Sequence, residues 1–176
     1  MSDRPRQKRR GLSVKLAMTT GLHTTYLSLG SNQGDRAALL QQAIALLGER
    51  AGELRAVSSL YQTQPWGFDS PHPFLNAALC LQTPLTPEEL LQTTQQIEKE
   101  LGRTRNPRQQ GYADRKIDID ILFYDDRKIE TPSLTLPHPL MTQRRFVLEP
   151  LCEIAPQLRH PSGKSIAQLL AELPAG

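Results

Sequence analysis

The sequence predicts an α+β fold built on a largely antiparallel sheet. Three observations carry this. Strand-like and helix-like stretches interleave along the chain without any repeat of 20–50 residues. Several links between strand-like stretches are hairpin-like, whereas parallel strands need helical crossovers between them. At 176 residues the chain also suits one domain with a sizeable core.

Residues 1–23 show no apolar periodicity and are expected to form a disordered basic tail, leaving residues 24–176 as a single domain. Residues 26–29, Tyr-Leu-Ser-Leu, read as the first strand, and Gly30 to Asp35 as turn chemistry leading into a helix. That helix is expected over 35–49, where Leu39, Leu40, Ala43, Ile44 and Leu47 recur at helical spacing. The glycines of 30–34 lack the lysine and spacing of a P-loop, so a structural turn is preferred to a phosphate cradle.

Residues 54–61 and 74–81 read as the next two strands. The stretch between them holds three prolines, a glycine and the single tryptophan, Trp66. It is longer than a hairpin needs. Two readings of Trp66 stay open: a residue of a binding lid, or a plug at the edge of the core.

Thr86-Pro87-Glu88-Glu89 starts a second helix, with threonine as cap, proline in the first turn and glutamate three residues on. Gly102 ends it. On that helix Gln95 and Glu98 are neighbours at i,i+3, which by themselves are ordinary solvated positions. Residues 103–115 are irregular. They feed a strand over 116–124, then a turn at Asp125-Asp126 and short extended pieces at 127–129 and 134–136. Prolines on both sides hold His138 extended. Residues 165–173 read as a closing helix.

The strand over 116–124 carries the chemistry. Ile117, Ile119, Ile121 and Phe123 alternate with Asp118, Asp120, Leu122 and Tyr124. Two carboxylates on one face, with Cα atoms roughly 6.5–7 Å apart, repel unless a cation lies between them. Mg²⁺ meets that demand, since hard cations take carboxylate and phosphate oxygens together. Arg103, Arg105, Arg108, Arg115 and Lys116 lie just upstream. Carboxylates for metal beside guanidiniums for phosphate suit phosphoryl transfer. A solvated edge strand with salt bridges is the plainer alternative.

Charge narrows the partners. The net charge is +3 and the isoelectric point about 9.0. Residues 1–23 hold six basic residues against one acidic, so residues 24–176 carry fifteen basic and seventeen acidic, a net of −2. The body suits a small polyanion better than a nucleic acid. Cys80 and Cys152 have no metal or redox spacing and are expected to be buried free thiols in a reducing compartment. No apolar run approaches a membrane span, and a cytoplasmic enzyme, without a membrane partner and monomeric, is expected.

Taken in order, the pieces Tyr-Leu-Ser-Leu-Gly-Ser-Asn from Tyr26, Phe-Leu-Asn-Ala-Ala from Phe74, Gln-Gln-Ile-Glu from Gln95 and Gly-Arg-Thr-Arg from Gly102 form a set. Asp-Arg-Lys-Ile-Asp-Ile-Asp-Ile-Leu from Asp114, Pro-His-Pro from Pro137 and Arg-Arg-Phe from Arg144 complete it. The set resembles the 6-hydroxymethyl-7,8-dihydropterin pyrophosphokinases of folate biosynthesis, over about residues 24–160. The resemblance implies a three-layer α-β-α fold with a ferredoxin-like core, and transfer of diphosphate from ATP to the pterin hydroxymethyl group, leaving AMP.

By position it implies that Asp118 and Asp120 hold two Mg²⁺ ions, with Arg103, Arg105 and Arg115 beside them in catalysis. Gln95, Glu98, Arg103, Arg105, Arg115, Ile121, His138 and Arg144 would line ATP. Thr63, Trp66, Phe74, Asn76 and Phe146 would meet the pterin, Asn76 at its edge and the two phenylalanines on its faces. This chain has Gly111-Tyr112-Ala113-Asp114-Arg115 where family members often have Arg-Trp-Gly-Pro-Arg, in a somewhat longer segment, so Arg108 receives no role.

Two rival classes use parts of this equipment. A metal-dependent nucleotidyltransferase or nuclease also places Asp-x-Asp on a strand, but calls for a broadly basic body. A ligand-sensing ferredoxin-like domain would explain the fold, but not paired aspartates beside an arginine cluster.

Overall fold

A computed structural model describes residues 21–63, 72–102 and 116–174. The main sheet uses β1 (His23–Ser31), β2 (Glu53–Val57), β3 (Tyr61–Thr63), β4 (Phe74–Thr83) and β5 (Asp118–Tyr124). Its order is β2-β4-β1-β5, with β3 also on β4, and all these pairings are antiparallel. Helix α1 (Arg36–Arg50) links β1 to β2, and α2 (Pro87–Glu100) links β4 to β5. This βαββαβ order is the ferredoxin-like arrangement, with the first and last strands side by side. A small ribbon, β6 (Ile129–Glu130) on β7 (Thr135–Leu136), precedes a 3₁₀ turn at Met141–Gln143, then α3 (Arg145–Ile154) and α4 (Ile166–Glu172).

The two faces of the sheet carry separate cores. Leu27, Leu29, Leu79, Leu81, Ile119 and Ile121 pack against Leu40, Ala43 and Leu47 of α1 and Leu90 and Ile97 of α2. Ala78, Leu122 and Phe123 pack on the other side against Met141, Val147, Leu148, Leu151, Ile166 and Leu169. The result is three layers, helix-sheet-helix. Helix α2 has the expected capping box between Thr86 and Glu89, and α4 has another between Ser165 and Gln168. Each satisfies amide groups that the first helical turn leaves unpaired.

Three boundaries depart from the sequence reading. The first strand reaches back to His23 and on to Ser31, so Gly30 lies in the strand and not in the turn. The expected strand over 54–61 is two strands. Between them Ser58 exchanges main-chain contacts with Ala78, its Oγ accepting from the Ala78 N–H at 2.9 Å and its own N–H donating to the Ala78 carbonyl at 2.9 Å. The alternation along β5 also breaks. Leu27 pairs with Ile121 but Tyr26 with Phe123, so the chain bulges at Leu122. Past the bulge the faces exchange. Phe123 joins the core under α3 and α4, and Tyr124 the core under α1 and α2, the reverse of strict alternation.

The thiols are free, Cys80 buried and Cys152 half-buried. No helix among the described residues is long and apolar enough to cross a membrane. Residues 1–20 lie outside the described residues.

Candidate functional site

One row of residues crosses the sheet at the end where β1 leaves it: Tyr61 faces Asn76, Asn76 faces Gly30, and Gly30 faces Asp118. One step further in, Ser28 lies between Ala78 and Asp120. Adjacent strands are about 4.8 Å apart, so Asn76 and Asp118 stand roughly 10 Å from each other with only a glycine between them. That glycine matters. A Cβ at Gly30 would sit 3.0 Å from Asn76 Oδ1 and 3.5 Å from the Phe74 ring. The absence of a side chain leaves the space through which Asn76 and Phe74 face the carboxylates.

Asn76 is 2% exposed. Its Nδ2 donates to Thr63 Oγ1 at 2.7 Å and more weakly to the Tyr61 carbonyl at 3.5 Å. Fixing the amide nitrogen this way turns Oδ1 towards Gly30. Thr63 and Asn76, both expected at the pterin, are thus direct partners. Strand β3 is in turn clasped to α3, because the Glu153 carboxylate accepts from Tyr61 Oη at 2.7 Å and from the Ser59 N–H at 3.0 Å.

Asp118 and Asp120 lie half-buried on the face opposite Ile119 and Ile121. β5 is the last strand on its side of the sheet among the described residues. Its outward Ile119 N–H would be left without a partner there, but Glu98 Oε2 accepts it at 2.7 Å. Glu98 is 5% exposed, while Gln95, one turn earlier on α2, is exposed. Glu98 is therefore a buried carboxylate bound to the main-chain N–H that lies between the two aspartates, and not an ordinary solvated helix position. Ile121 sends its side chain into the core beneath α1 and α2.

His138 is positioned through the bulge of β5. Its N–H donates to the Leu122 carbonyl at 3.0 Å, and its Nδ1 accepts from the Leu140 N–H at 3.3 Å. A neutral ring held this way carries its proton on Nε2. Burial pushes the imidazole below its ordinary value, and the nearby Asp118 carboxylate opposes that shift. Arg144, 3% exposed, precedes α3, and its guanidinium carbon is 5.6 Å from the centre of the Phe146 ring. Burial also lowers its tendency to stay protonated.

Arg103, Arg105, Arg115 and Trp66 lie outside the described residues. The two ends of the arginine-bearing segment are close together, however. A Cβ at Gly102 would lie 3.1 Å from the Lys116 side chain, two residues before Asp118. Among the described residues no group of three or more His, Cys, Asp or Glu side chains is arranged to hold a metal. A carboxylate pair of hard oxygen donors, half open to solvent, fits an ion that completes its shell from substrate phosphates and water.

Sequence reasoning missed Gly30 and the Glu153 clasp. A glycine inside a strand pattern is itself a sign of close approach by a ligand or another chain, and that sign was present. Nothing in the sequence brings Glu153 next to Tyr61.

The sequence profile described as 7,8-dihydro-6-hydroxymethylpterin-pyrophosphokinase (HPPK) matches residues 26–156. A Porphyromonas gingivalis protein named 2-amino-4-hydroxy-6-hydroxymethyldihydropteridine pyrophosphokinase is 53% identical over 137 residues, 77% of this chain and 92% of that protein. The Bacillus subtilis protein of the same name is 49% identical over 134 residues, 76% of this chain and 78% of that one. A solved structure of Plasmodium falciparum HPPK-DHPS wild type with pteroate superposes with a TM-score of 0.69 at 18% identity, covering 86% of this chain. This chain spans 42% of that longer one, and at such identity the likeness speaks for the fold.

Proposed function

The chain belongs to the 7,8-dihydro-6-hydroxymethylpterin-pyrophosphokinase family, and we propose that the row from Asn76 through Gly30 to Asp118 is where its two substrates meet. The enzyme transfers diphosphate from ATP to the hydroxymethyl group of 6-hydroxymethyl-7,8-dihydropterin, a step of folate biosynthesis. The pterin oxygen attacks the β-phosphorus, the bond from that phosphorus to the α,β-bridging oxygen breaks, and AMP departs with the bridging oxygen. The hydroxyl proton passes to solvent.

The observation that carries the assignment of roles is the Asn76–Gly30–Asp118 register. It sets a hydrogen-bonding amide and an aromatic ring on one side of an open space, with paired carboxylates on the other. Asn76 Oδ1 and the Thr63 hydroxyl meet the polar edge of the pterin, with Phe74 and Phe146 against its faces. Asp118 and Asp120 would hold two Mg²⁺ ions, and the bound metal would supply positive charge against the phosphate oxygens.

The remaining work falls to residues of the chain. Nε2–H of His138 donates to a phosphate oxygen, a role supported by the tautomer that Leu140 imposes. Arg144 adds a charge-assisted hydrogen bond, as would Arg103, Arg105 and Arg115, which lie between Gly102 and Lys116 in sequence. Gln95 and the main chain at Ile121 border the nucleotide. Glu98 holds the strand that carries both aspartates. Trp66, between Thr63 and Phe74 in sequence, is assigned to the pterin by the family resemblance. The body acts on small molecules as a cytoplasmic monomer, a single catalytic domain that includes His23, the first residue of β1, and so starts one residue before the expected 24.

The test is product identity. Incubation with ATP, Mg²⁺ and the hydroxymethyl-dihydropterin should yield AMP and the pterin diphosphate in equal amounts. ADP and a pterin monophosphate would overturn the diphosphate transfer.

A further inference from the structure

A second cavity, of about 580 Å³, opens at the other end of the sheet. Tyr26 on its wall lies four steps along β1 from Gly30 in the site, about 13 Å of strand. The cavity shares no residue with the machinery described above, and its size falls within the range of small-molecule sites.

Its floor is aromatic. Phe123, brought to this face by the bulge at Leu122, stands edge-on to Tyr26, with ring centres 6.3 Å apart and planes at 86°. It stands edge-on to His160 as well, at 6.2 Å and 78°. Leu158, Pro137 and Pro161 add apolar walls. The ring partners are already satisfied elsewhere: His160 Nδ1 accepts from the Ser162 N–H at 3.0 Å, and the Tyr26 hydroxyl is engaged with Cys80. A flat apolar body therefore fits against the rings without leaving either of those two atoms unmet.

The mouth is cationic in effect. Arg127, Lys128 and Arg159 line it against Asp125 and Asp126. Asp125 is committed, since Oδ2 lies 2.6 Å from His23 Nδ1 and Oδ1 accepts the Thr24 N–H at 2.8 Å. Arg159 donates to the Gly163 carbonyl at 2.9 Å. Arg127 stacks over Tyr124 at 5.6 Å, which leaves guanidinium edges to the opening. Lys128 is exposed and forms no ion pair among the described residues.

We propose that this cavity is a second binding site, for a small planar aromatic carboxylate, with its ring against Tyr26, Phe123 and His160 and its carboxylate at Arg127 and Lys128. Complementary charge at the mouth selects the anion over its neutral counterpart.

The test uses 2-naphthoate as probe and the full chain, with the first site filled by α,β-methylene-ATP, Mg²⁺ and pterin. Amide ¹H–¹⁵N shifts should change saturably around Tyr26, Phe123, Lys128 and His160, with a dissociation constant on the order of 0.1 mM. Neutral 2-naphthamide should bind at least about tenfold more weakly. The exposed double substitution Arg127→Glu, Lys128→Glu should abolish binding of the naphthoate while the melting temperature holds. Shifts confined to Asn76 and its neighbours, equal affinity for acid and amide, unchanged affinity in the double variant, or no saturable shifts up to several times that concentration would each overturn the proposal.

Discussion

Glu98 of α2 and Ile119 of β5 are joined by a 2.7 Å hydrogen bond in which a buried carboxylate accepts the main-chain N–H lying between Asp118 and Asp120. A helix on one face of the sheet thereby holds the outer strand whose other face carries the two carboxylates. Removing the acceptor leaves a buried N–H without that partner, which costs about 1–3 kcal/mol. Glu98→Ala should lower unfolding stability in urea by that amount and reduce turnover further than stability alone explains. Glu98→Gln keeps an acceptor oxygen and should recover most of the stability. Equal stability of wild type and Glu98→Ala would remove the buttress role.

Gly30 separates Asn76 from Asp118, and a methyl there would press on Asn76 Oδ1 from 3.0 Å. Its backbone is ordinary strand, so Gly30→Ala should fold. Crowding of this kind costs about 1–3 kcal/mol, most of it at the pterin contact. Steady-state kinetics should show KM for the pterin raised about tenfold or more, with KM for ATP little changed. A rise confined to ATP would place the pterin elsewhere.

The clasp between α3 and β3 should be visible in pH dependence. The Tyr61 hydroxyl, and then the Ser59 N–H, hold the Glu153 carboxyl below its usual 4.5. A depressed carboxyl contributes stability that is present above the unfolded value and lost as pH falls through the folded one. Tyr61 is raised to about 12, first by its hydrogen bond to Glu153, so its share is complete below 10 and lost as pH rises through 12. Both groups are largely exposed, so the effects are small. Glu153→Gln should flatten the stability profile in both windows, measured by chemical denaturation across pH. A profile identical to wild type would mean that the clasp does not hold in solution.

Much of this was legible along the chain because local chemistry and global fold agree. Thr86, Pro87 and Glu89 announce the start of α2, and the capping box forms as written. The alternation of Ile119 and Ile121 with Asp118 and Asp120 survives because both sides of that stretch have a fixed destination, core or cleft. It fails at Leu122, where a bulge that depends on β1 and on the His138 N–H reverses the faces. Periodicity cannot foresee an extra residue that only a partner strand creates. Helical spacing alone makes Glu98 an ordinary solvated position, because its burial comes from β5, about twenty residues away in sequence. Gly30 was read as a turn residue because the strand's true end is set by pairing with Leu75, Asn76 and Asp118.

In the proposed mechanism Asp118 and Asp120 hold the metal against the nucleotide. This role is tested most directly by calorimetric titration of α,β-methylene-ATP into wild type, Asp118→Asn and Asp120→Asn, each with Mg²⁺ and with EDTA. Metal bridging of carboxylate and phosphate contributes several kcal/mol, so Mg²⁺ should tighten wild-type binding by about a hundredfold or more. Each variant should lose most of that enhancement while melting within a few degrees of wild type. Full Mg²⁺ enhancement in either variant would contradict the assignment.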